Sequence, residues 1–197
     1  LKDLLEQIKV CNEGDQLRWY PGSPQLAAQM LRPGDPLRMS ELHPTESREL
    51  AKHFADVRRG VSIQVADGFA SLKGAVPPPP KRGLVHIDPP YELKEDYRRV
   101  LHSVQDALGK FPTGVYAIWY PMVARREAEI LPTHLKKLAP GKWLHVALRV
   151  KATARDGVGL HGSGMFVINP PWTLYDTLAE ALPWLVDEHG EVRPEYR

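Results

Sequence analysis

The sequence has few of the features that mark secreted, membrane-inserted or strongly charged proteins. Its single cysteine, Cys11, excludes an intrachain disulfide and a cysteine-based zinc site. No apolar run approaches the length of a membrane-spanning helix, and no signal-peptide pattern is present. The eight histidines lack metal-ligand spacing, and the net charge of +2 is too small for a cationic coat around nucleic acid. These absences predict a cytoplasmic, metal-free protein, which we expect to be a monomer.

Short apolar runs instead alternate with amphipathic helical patterns along most of the 197 residues. This alternation predicts an α/β fold with a mostly parallel sheet, helices on both faces and an antiparallel edge. The length suits one domain with a real core. The predicted strands are 36–42, 61–65, 84–87, 114–119, 143–150 and 165–168. The predicted helices are 1–10, 24–31, 45–55, 69–73, 94–108, 124–138 with a kink or break at Pro132, and 173–186.

One stretch ends an apolar run abruptly in an acid, two prolines and an aromatic ring. Leu84–Ile87 is too short for a helix and is bounded by Gly83, so it predicts a buried strand. The two prolines that follow Asp88 lack amide hydrogens and fix their own φ angles, so the strand must stop there in a stiff loop. Asp88 and Tyr91 are therefore displayed at the carboxyl end of a strand, where open α/β sheets bind ligands.

These residue types suit chemistry on an exocyclic amino group of a nucleobase. Such an amine is a poor nucleophile because its lone pair is delocalised into the ring, and a carboxylate with a backbone carbonyl can accept its two hydrogens. A rigid Pro-Pro turn would hold those acceptors in place, and an aromatic ring can stack on a base. Asp88-Pro89-Pro90-Tyr91 resembles the (Asp/Asn/Ser)-Pro-Pro-(Tyr/Phe/Trp) signature of S-adenosylmethionine-dependent amino-methyltransferases. The alternative is a strand-ending turn with Asp88 as a local cap.

Three acids follow predicted strands at the points where helical connections begin. Because parallel strands present these connections at one edge of a sheet, Glu41, Asp67 and Asp88 should line one crevice. An acid after a strand can bind ribose hydroxyls, and Asp67 could accept from an adenine amino group, with Gly68 allowing close backbone approach. Each acid alone could be a helix cap. Three in register favour a nucleoside-type cofactor.

Six motifs occur in an order that resembles one family closely. They are Trp19-Tyr20-Pro21-Gly22-Ser23-Pro24, Ser40-Glu41-Leu42-His43-Pro44, Ala66-Asp67-Gly68-Phe69, His86-Ile87-Asp88-Pro89-Pro90-Tyr91-Glu92, Ile118-Trp119-Tyr120-Pro121, and Ser163-Gly164-Met165 through Asn169-Pro170-Pro171-Trp172. Together they resemble the RlmJ family of bacterial 23S ribosomal RNA adenine-N6 methyltransferases over nearly the whole chain. The resemblance implies a Rossmann-like class I methyltransferase fold, S-adenosylmethionine as methyl donor, and 23S ribosomal RNA as partner.

The same resemblance assigns roles to individual residues. It implies a catalytic acceptor at Asp88 within a loop completed by Pro89, Pro90 and Tyr91. The positions that match cofactor-contacting residues are Ser23, Glu41, Asp67, Gly68 and Asp88.

The sequence departs from the family at its beginning. The family starts with a further segment that holds the first strand and a glycine-rich cofactor loop, and this sequence contains neither. We therefore expect residues 1–15 to be the tail of a helical insertion and residues 16–197 to be a catalytic domain incomplete at its N-terminus. The 197-residue chain alone is expected to be inactive and to bind cofactor weakly.

Two further motifs predict structure better than function. Gly157-Val158-Gly159-Leu160-His161-Gly162 matches G-x-G-x-x-G but precedes a strand instead of a helix, which indicates a flexible loop. Asn169-Pro170-Pro171-Trp172 repeats the amino-methyltransferase pattern after the last predicted strand. We interpret it as a structural turn that flanks the site.

Other functions remain open at the level of sequence. The Pro-Pro loop would also suit a DNA adenine or protein-glutamine methyltransferase. A non-catalytic nucleic-acid-binding or DNA-utilisation accessory protein would keep a basic surface without needing the acids. Basic pairs that could grip phosphates if they converged are Arg58-Arg59, Arg98-Arg99, Arg125-Arg126 and Lys136-Lys137.

Overall fold

The computed structural model describes residues 2–12, 14, 16–55, 60–150, 159–183 and 191–196. Its chain divides into two compact units, Leu1–Ser71 and Leu72–Arg197. Each unit is described by itself below.

The first unit contains a two-stranded parallel sheet and its covering helices. Its elements are α1 (Lys2–Val10), α2 (Ser23–Met30), β1 (Leu37–Glu41), α3 (Pro44–Phe54), β2 (Val61–Val65) and the start of α4 (Gly68–Ala75). β1 and β2 pair in parallel from Leu37 opposite Val61 to Glu41 opposite Val65. The helix α3 packs on both strands, and its Ser47 and Phe54 side chains are buried.

Prolines mark the helix starts in this unit, as the sequence predicts, but one cap is displaced. The sequence predicts a helix that begins at residue 24, whereas the structure has Gly22 as the N-cap and Ser23 as the first helical residue. Pro24 keeps its expected place in the first turn, where its missing N–H costs nothing. In α3 the Nδ1 atom of His43 accepts from the backbone N–H of Glu46 at 3.5 Å.

The second unit holds a five-stranded sheet in the order β3-β4-β6-β5-β7. Its elements are β3 (Leu84–Ile87), α5 (Lys94–Lys110), β4 (Val115–Met122), α6 (Arg126–Leu138), β5 (Trp143–Arg149), β6 (Gly162–Ile168), α7 (Leu174–Ala181) and β7 (Glu191–Tyr196). β3 and β4 are parallel, while β4–β6, β6–β5 and β5–β7 are antiparallel. The α/β class is confirmed, with mixed sheets and an antiparallel part larger than expected.

The core of the second unit lies between this sheet and the paired helices α5 and α6. One face of α5 is buried through Val100, Val104 and Ala107, at the helical spacing that an amphipathic pattern requires. The corresponding buried positions of α6 include Leu131 and Leu135. The helices α5 and α6 contact each other, and α6 also contacts β4.

Two prolines behave differently from expectation. Pro132 lies inside α6 without ending it, so a break is excluded, while a kink at Pro132 stays a prediction. The sequence predicts that the strand ends at residue 119, before Pro121, yet β4 continues through Pro121 to Met122. Since β3 ends opposite Ile118, the last part of β4 pairs with β6 alone, and a strand edge tolerates a proline that lacks an N–H donor.

Candidate functional site

Glu41 is the last residue of β1, as the sequence predicts, and its side chain is half-buried. Its Oε1 atom accepts a hydrogen bond from the backbone N–H of His43 at 2.8 Å. The turn between β1 and α3 is therefore tied to this carboxylate. Among the described residues no hydrogen bond occupies Oε2, so one oxygen is fixed by the backbone while the other is open.

Asp67 and Gly68 lie at the corresponding position after β2. The Oδ1 atom of Asp67 accepts from the backbone N–H of Phe69 at 2.9 Å, which caps the start of α4. A Cβ added to Gly68 would lie 3.8 Å from the Cβ of Ser40, so α4 begins against β1. Because Glu41 pairs with Val65 in a parallel ladder, Glu41 and Asp67 share one edge of the β1–β2 sheet.

Ser23 and Gly68 have weaker structural constraints than the two acids. Ser23 is exposed at the start of α2, which packs near β1. The 3.8 Å approach at Gly68 is an ordinary contact, so the protein itself does not require glycine there. Their assignment to a cofactor therefore stays a prediction.

Asp88 follows β3 directly and belongs to the second unit. Ile87, the last residue of β3, is buried, while Asp88 itself stays open to solvent. Its carboxylate accepts no hydrogen bond from any residue that the structure describes. Desolvation by the surrounding protein nevertheless raises the pKa of Asp88 above its usual range, and the charge of His86 opposes part of that rise.

Tyr91 ends the loop in a conformation that few non-glycine residues adopt. Its φ angle is 52°, in the left-handed region, and only 4% of its surface is exposed. The phenol donates to the backbone carbonyl of Trp119 at 2.6 Å, and the ring lies 4.8 Å from that of Tyr97. Burial, with a smaller contribution from Asp88, raises the pKa of the Tyr91 phenol. The expected stacking on a base is corrected, because the ring presents almost no surface to a ligand.

Arg125 is the functional candidate that the sequence did not single out. It follows β4 and is the N-cap residue of α6. Its Nη1 atom donates to the backbone carbonyls of Tyr91 and Glu92, both at 3.1 Å. Sequence reasoning placed Arg125 only in a basic pair, because a contact across 34 residues has no local signal.

The second Pro-Pro motif lies away from Asp88. β6 runs antiparallel to β4, with Ile168 opposite Tyr116, so Asn169 emerges at the edge opposite the carboxyl end of β3. Its Nδ2 atom donates to the carbonyls of Pro112 and Gly114, both at 2.8 Å. Asn169 is thus a structural residue, as interpreted, but it does not flank the Asp88 loop as expected.

The remaining sequence candidates have local explanations or fall outside the described residues. Arg58-Arg59 and positions 157 and 158 lie outside them. Arg98 forms an ion pair with Glu95, and the Nζ atom of Lys136 lies 4.5 Å from the ring centroid of Trp143. In the part of the chain that is described, no cluster of three metal-ligating side chains occurs, and no helix is long and apolar enough to cross a membrane.

Comparison with known proteins gives a consistent result. A family model described as "Ribosomal RNA large subunit methyltransferase D, RlmJ" matches residues 1–196. The chain is 40% identical over 194 residues to Ribosomal RNA large subunit methyltransferase J of Escherichia coli, covering 98% of the chain and 68% of that protein. It is also 40% identical to the protein of the same name from Haemophilus influenzae, covering 93% of the chain and 66% of that protein.

A solved structure agrees with the fold. The crystal structure of protein LPL1258 from Legionella pneumophila superposes with a TM-score of 0.90 at 33% sequence identity. The match covers 98% of this chain and 73% of that one. The chain therefore spans about two thirds of the length of the curated relatives that it matches.

Proposed function

Because the chain belongs to the RlmJ family of ribosomal RNA large subunit methyltransferases, we propose that it methylates the N6 amino group of an adenine in 23S ribosomal RNA. We propose S-adenosylmethionine as the methyl donor. The observation that carries this proposal is the Asp88 carboxylate, which directly follows the buried Ile87, lies on a stiff Pro-Pro loop and is engaged by no described residue. The expectation that the whole strand is buried is wrong, because Leu84 and His86 are exposed.

The acids of the first unit fit a nucleoside-type donor. Glu41 has one oxygen held by the N–H of His43 and the other open, so it is already oriented to accept from a ribose hydroxyl. Asp67 at the same sheet edge is oriented by its bond to the N–H of Phe69 and would accept from the adenine amino group. Ser23 and Gly68 complete the proposed contacts. When bound, S-adenosylmethionine supplies an electrophilic methyl group.

Asp88 would prepare the target amine. Its carboxylate accepts a hydrogen bond from N6, and a backbone carbonyl of the loop accepts the second hydrogen, so the nitrogen lone pair is less delocalised into the ring. Pro89 and Pro90 limit the motion of these acceptors, which maintains the direction of the lone pair. The carboxylate must be ionised for this role, and the raised pKa of Asp88 makes it a better acceptor than an ordinary aspartate.

The buried Tyr91 would stabilise the conformation of this loop. Its phenol and ring are fixed in the protein, so it holds the end of the Pro-Pro turn and leaves base stacking to other groups. Its proposed role is therefore to position Asp88.

The proposal is tested by labelled methyl transfer with the family-length protein, meaning this chain joined to the part of the relatives' length that it does not span. Ribosomal RNA, DNA and protein are offered as acceptors in parallel, and labelled RNA is digested to nucleosides. The expected result is N6-methyladenosine in 23S RNA. Transfer to DNA alone or to protein glutamine alone would overturn the RNA assignment. No transfer to any acceptor would favour an accessory nucleic-acid-binding protein. The 197-residue chain alone, assayed alongside, is predicted to be inactive.

A further inference from the structure

We propose that Arg125 is a positioning residue for methyl transfer, which holds the Asp88–Tyr91 loop in the conformation that aims the Asp88 carboxylate at the target amine. This inference rests on the function proposed above for Asp88. Arg125 is neither one of the three acids at strand ends nor a member of the Pro-Pro motif. The contact that carries it is the pair of hydrogen bonds from Nη1 of Arg125 to the carbonyls of Tyr91 and Glu92.

The conformation that Arg125 stabilises is one that the loop would not adopt unaided. Tyr91 has a φ angle of 52°, which is unfavourable for a residue with a Cβ and persists only where the surroundings impose it. At this turn two consecutive carbonyls, those of Tyr91 and Glu92, lie within reach of one guanidinium group. Both distances are 3.1 Å, and the charge on the donor strengthens each bond.

A second anchor fixes the opposite end of the same residue. The Tyr91 phenol donates to the carbonyl of Trp119 at 2.6 Å. Trp119 lies in β4 and Arg125 follows the end of that strand, so one strand and its loop hold Tyr91 by both side chain and backbone. Asp88 is three residues before Tyr91, with only the two stiff prolines between them. Because these prolines restrict the backbone, the way in which Tyr91 is held limits the positions that Asp88 can take.

The surroundings of Arg125 agree with a structural role. Arg125 is half-buried. Burial raises the pKa of the Tyr97 phenol, and the charge of Arg125 opposes part of that rise. The Nζ atom of Lys94 lies 3.7 Å from Oε1 of Glu127, which adds a second link between the start of α5 and the start of α6. The chain segment that follows the Pro-Pro turn is thus connected to α6 at two points.

A phosphate-gripping arginine would give a different kinetic signature. Loss of a phosphate contact weakens RNA binding and its salt dependence, whereas loss of a positioning contact lowers the rate with RNA already bound. The adjacent Arg126 offers a matched control. It carries the same charge, is exposed, and contacts neither carbonyl of the loop in the part of the chain that the structure describes.

The experiment compares Arg125→Ala, Arg125→Gln, Arg125→Lys and Arg126→Ala in the family-length protein, by single-turnover methyl transfer at saturating RNA together with RNA affinity. Arg125→Ala should lower the rate by about ten- to a hundred-fold, the range for losing charge-assisted hydrogen bonds, and leave RNA affinity unchanged. Arg125→Lys, which keeps the charge and a donor, should recover part of the rate. Arg126→Ala should react at the wild-type rate. If Arg125→Ala does not fold, the Gln and Lys variants give the same comparison.

Two results would overturn the inference. One is wild-type turnover of all folded Arg125 variants, and the other is a loss confined to RNA affinity. A double-mutant cycle adds a stricter condition, since Arg125→Ala should have little further effect when Asp88 is already alanine. A full multiplicative loss in the double variant would show that Arg125 does not act through Asp88. If Asp88→Ala itself turns over normally, the role proposed for Asp88 fails, and this inference fails with it. If only the Arg125 variants are normal, this inference alone fails.

Discussion

The acids at the ends of β1 and β2 differ from the acid after β3 in their hydrogen-bond partners within the protein. Glu41 accepts a backbone N–H at 2.8 Å and Asp67 accepts one at 2.9 Å, so each ties down the turn after its own strand. The Asp88 carboxylate, by contrast, accepts nothing from the described residues, and desolvation raises its pKa. Glu41 and Asp67 therefore stabilise the backbone turns next to them, whereas the position of Asp88 depends on the stiff Pro-Pro loop that follows it.

This difference shows how the same sequence feature can serve two purposes. A carboxylate bonded through one oxygen is held still and can offer the other to a ligand hydroxyl, which suits binding in the ground state. A carboxylate kept free of partners and partly desolvated gains most when a hydrogen-bond donor arrives, which suits stabilisation of a transition state. Fixing a turn and binding a ligand are therefore compatible for Glu41, although the backbone hydrogen bonds alone would account for the places of Glu41 and Asp67 in the sequence.

The largest expected effect is the loss of stability on removing the side chain of Tyr91, which holds the loop that carries Asp88. Tyr91→Ala should lower the free energy of unfolding by about 3–5 kcal/mol, because it leaves a cavity where a buried ring packs on Tyr97 and removes the hydrogen bond to the carbonyl of Trp119. Denaturant unfolding of the family-length protein measures this. Tyr91→Phe, the matched control, loses only the bond to Trp119 and should cost about 1 kcal/mol. Equal, small losses for both variants would mean that the ring is not buried in solution.

Removing the free acid should leave the fold intact and stop the chemistry. Asp88→Ala should lower the single-turnover rate by about 10²–10³ at saturating RNA, the range found when one preorganised transition-state partner is lost. RNA affinity should be nearly unchanged, because the carboxylate contributes mainly in the transition state. Asp88→Asn keeps an oxygen acceptor without the charge and should be intermediate. A wild-type rate for Asp88→Ala would remove Asp88 from the mechanism.

Removing the acid that fixes the turn after β1 should affect cofactor affinity instead of rate. Glu41→Ala should weaken S-adenosylmethionine binding by about ten- to a hundred-fold, which corresponds to the loss of one charge-assisted hydrogen bond. Calorimetry on the family-length protein measures this. Glu41→Gln retains an oxygen for the N–H of His43 and separates capping from charge, so it should bind better than the alanine variant. Glu49→Ala changes a surface acid that pairs with Lys52 and should bind normally. Normal affinity for Glu41→Ala would confine Glu41 to its turn.

Sequence reasoning predicted those parts of the fold that local chemistry determines. The strands 61–65 and 84–87 match β2 and β3, because glycine and proline bound them closely. The strand β7 was not predicted, since Pro194 argues against a strand and only its edge position accommodates that residue. The structural role of Asn169 was predicted, but its place at the end of the strands opposite Asp88 was not, because strand direction is not visible in a short apolar run.

The site was predictable to the extent that its residues follow strands. Glu41, Asp67 and Asp88 all lie at strand ends, and two of them share one sheet edge as expected. The burial of Tyr91 and the role of Arg125 depend on contacts across 28 and 34 residues, which only the folded chain brings together. That all three acids line one crevice stays a prediction.

The smallest expected effect concerns the charge next to Asp88. His86 lies two residues before Asp88, and its charge lowers the pKa of Asp88 against the rise caused by desolvation. A cationic imidazole at this position favours the ionised carboxylate. His86→Gln removes that charge, so the pKa of Asp88 should rise further. Since the amine is activated only by the ionised carboxylate, the rate should fall at a higher pH on the acid side of the profile.

The shift should be small, because both side chains are exposed and water screens the charge between them. It is measured from the pH dependence of the single-turnover rate at saturating RNA. His102→Gln, which alters a histidine paired with Asp106 on α5 at 3.7 Å, should leave the profile in place. A shift to lower pH in His86→Gln would contradict the assignment. If the rate of Asp88→Asn still falls at low pH, that fall belongs to another group. The contrast between Asp88 and the two acids bonded to backbone, Glu41 and Asp67, then loses its kinetic support.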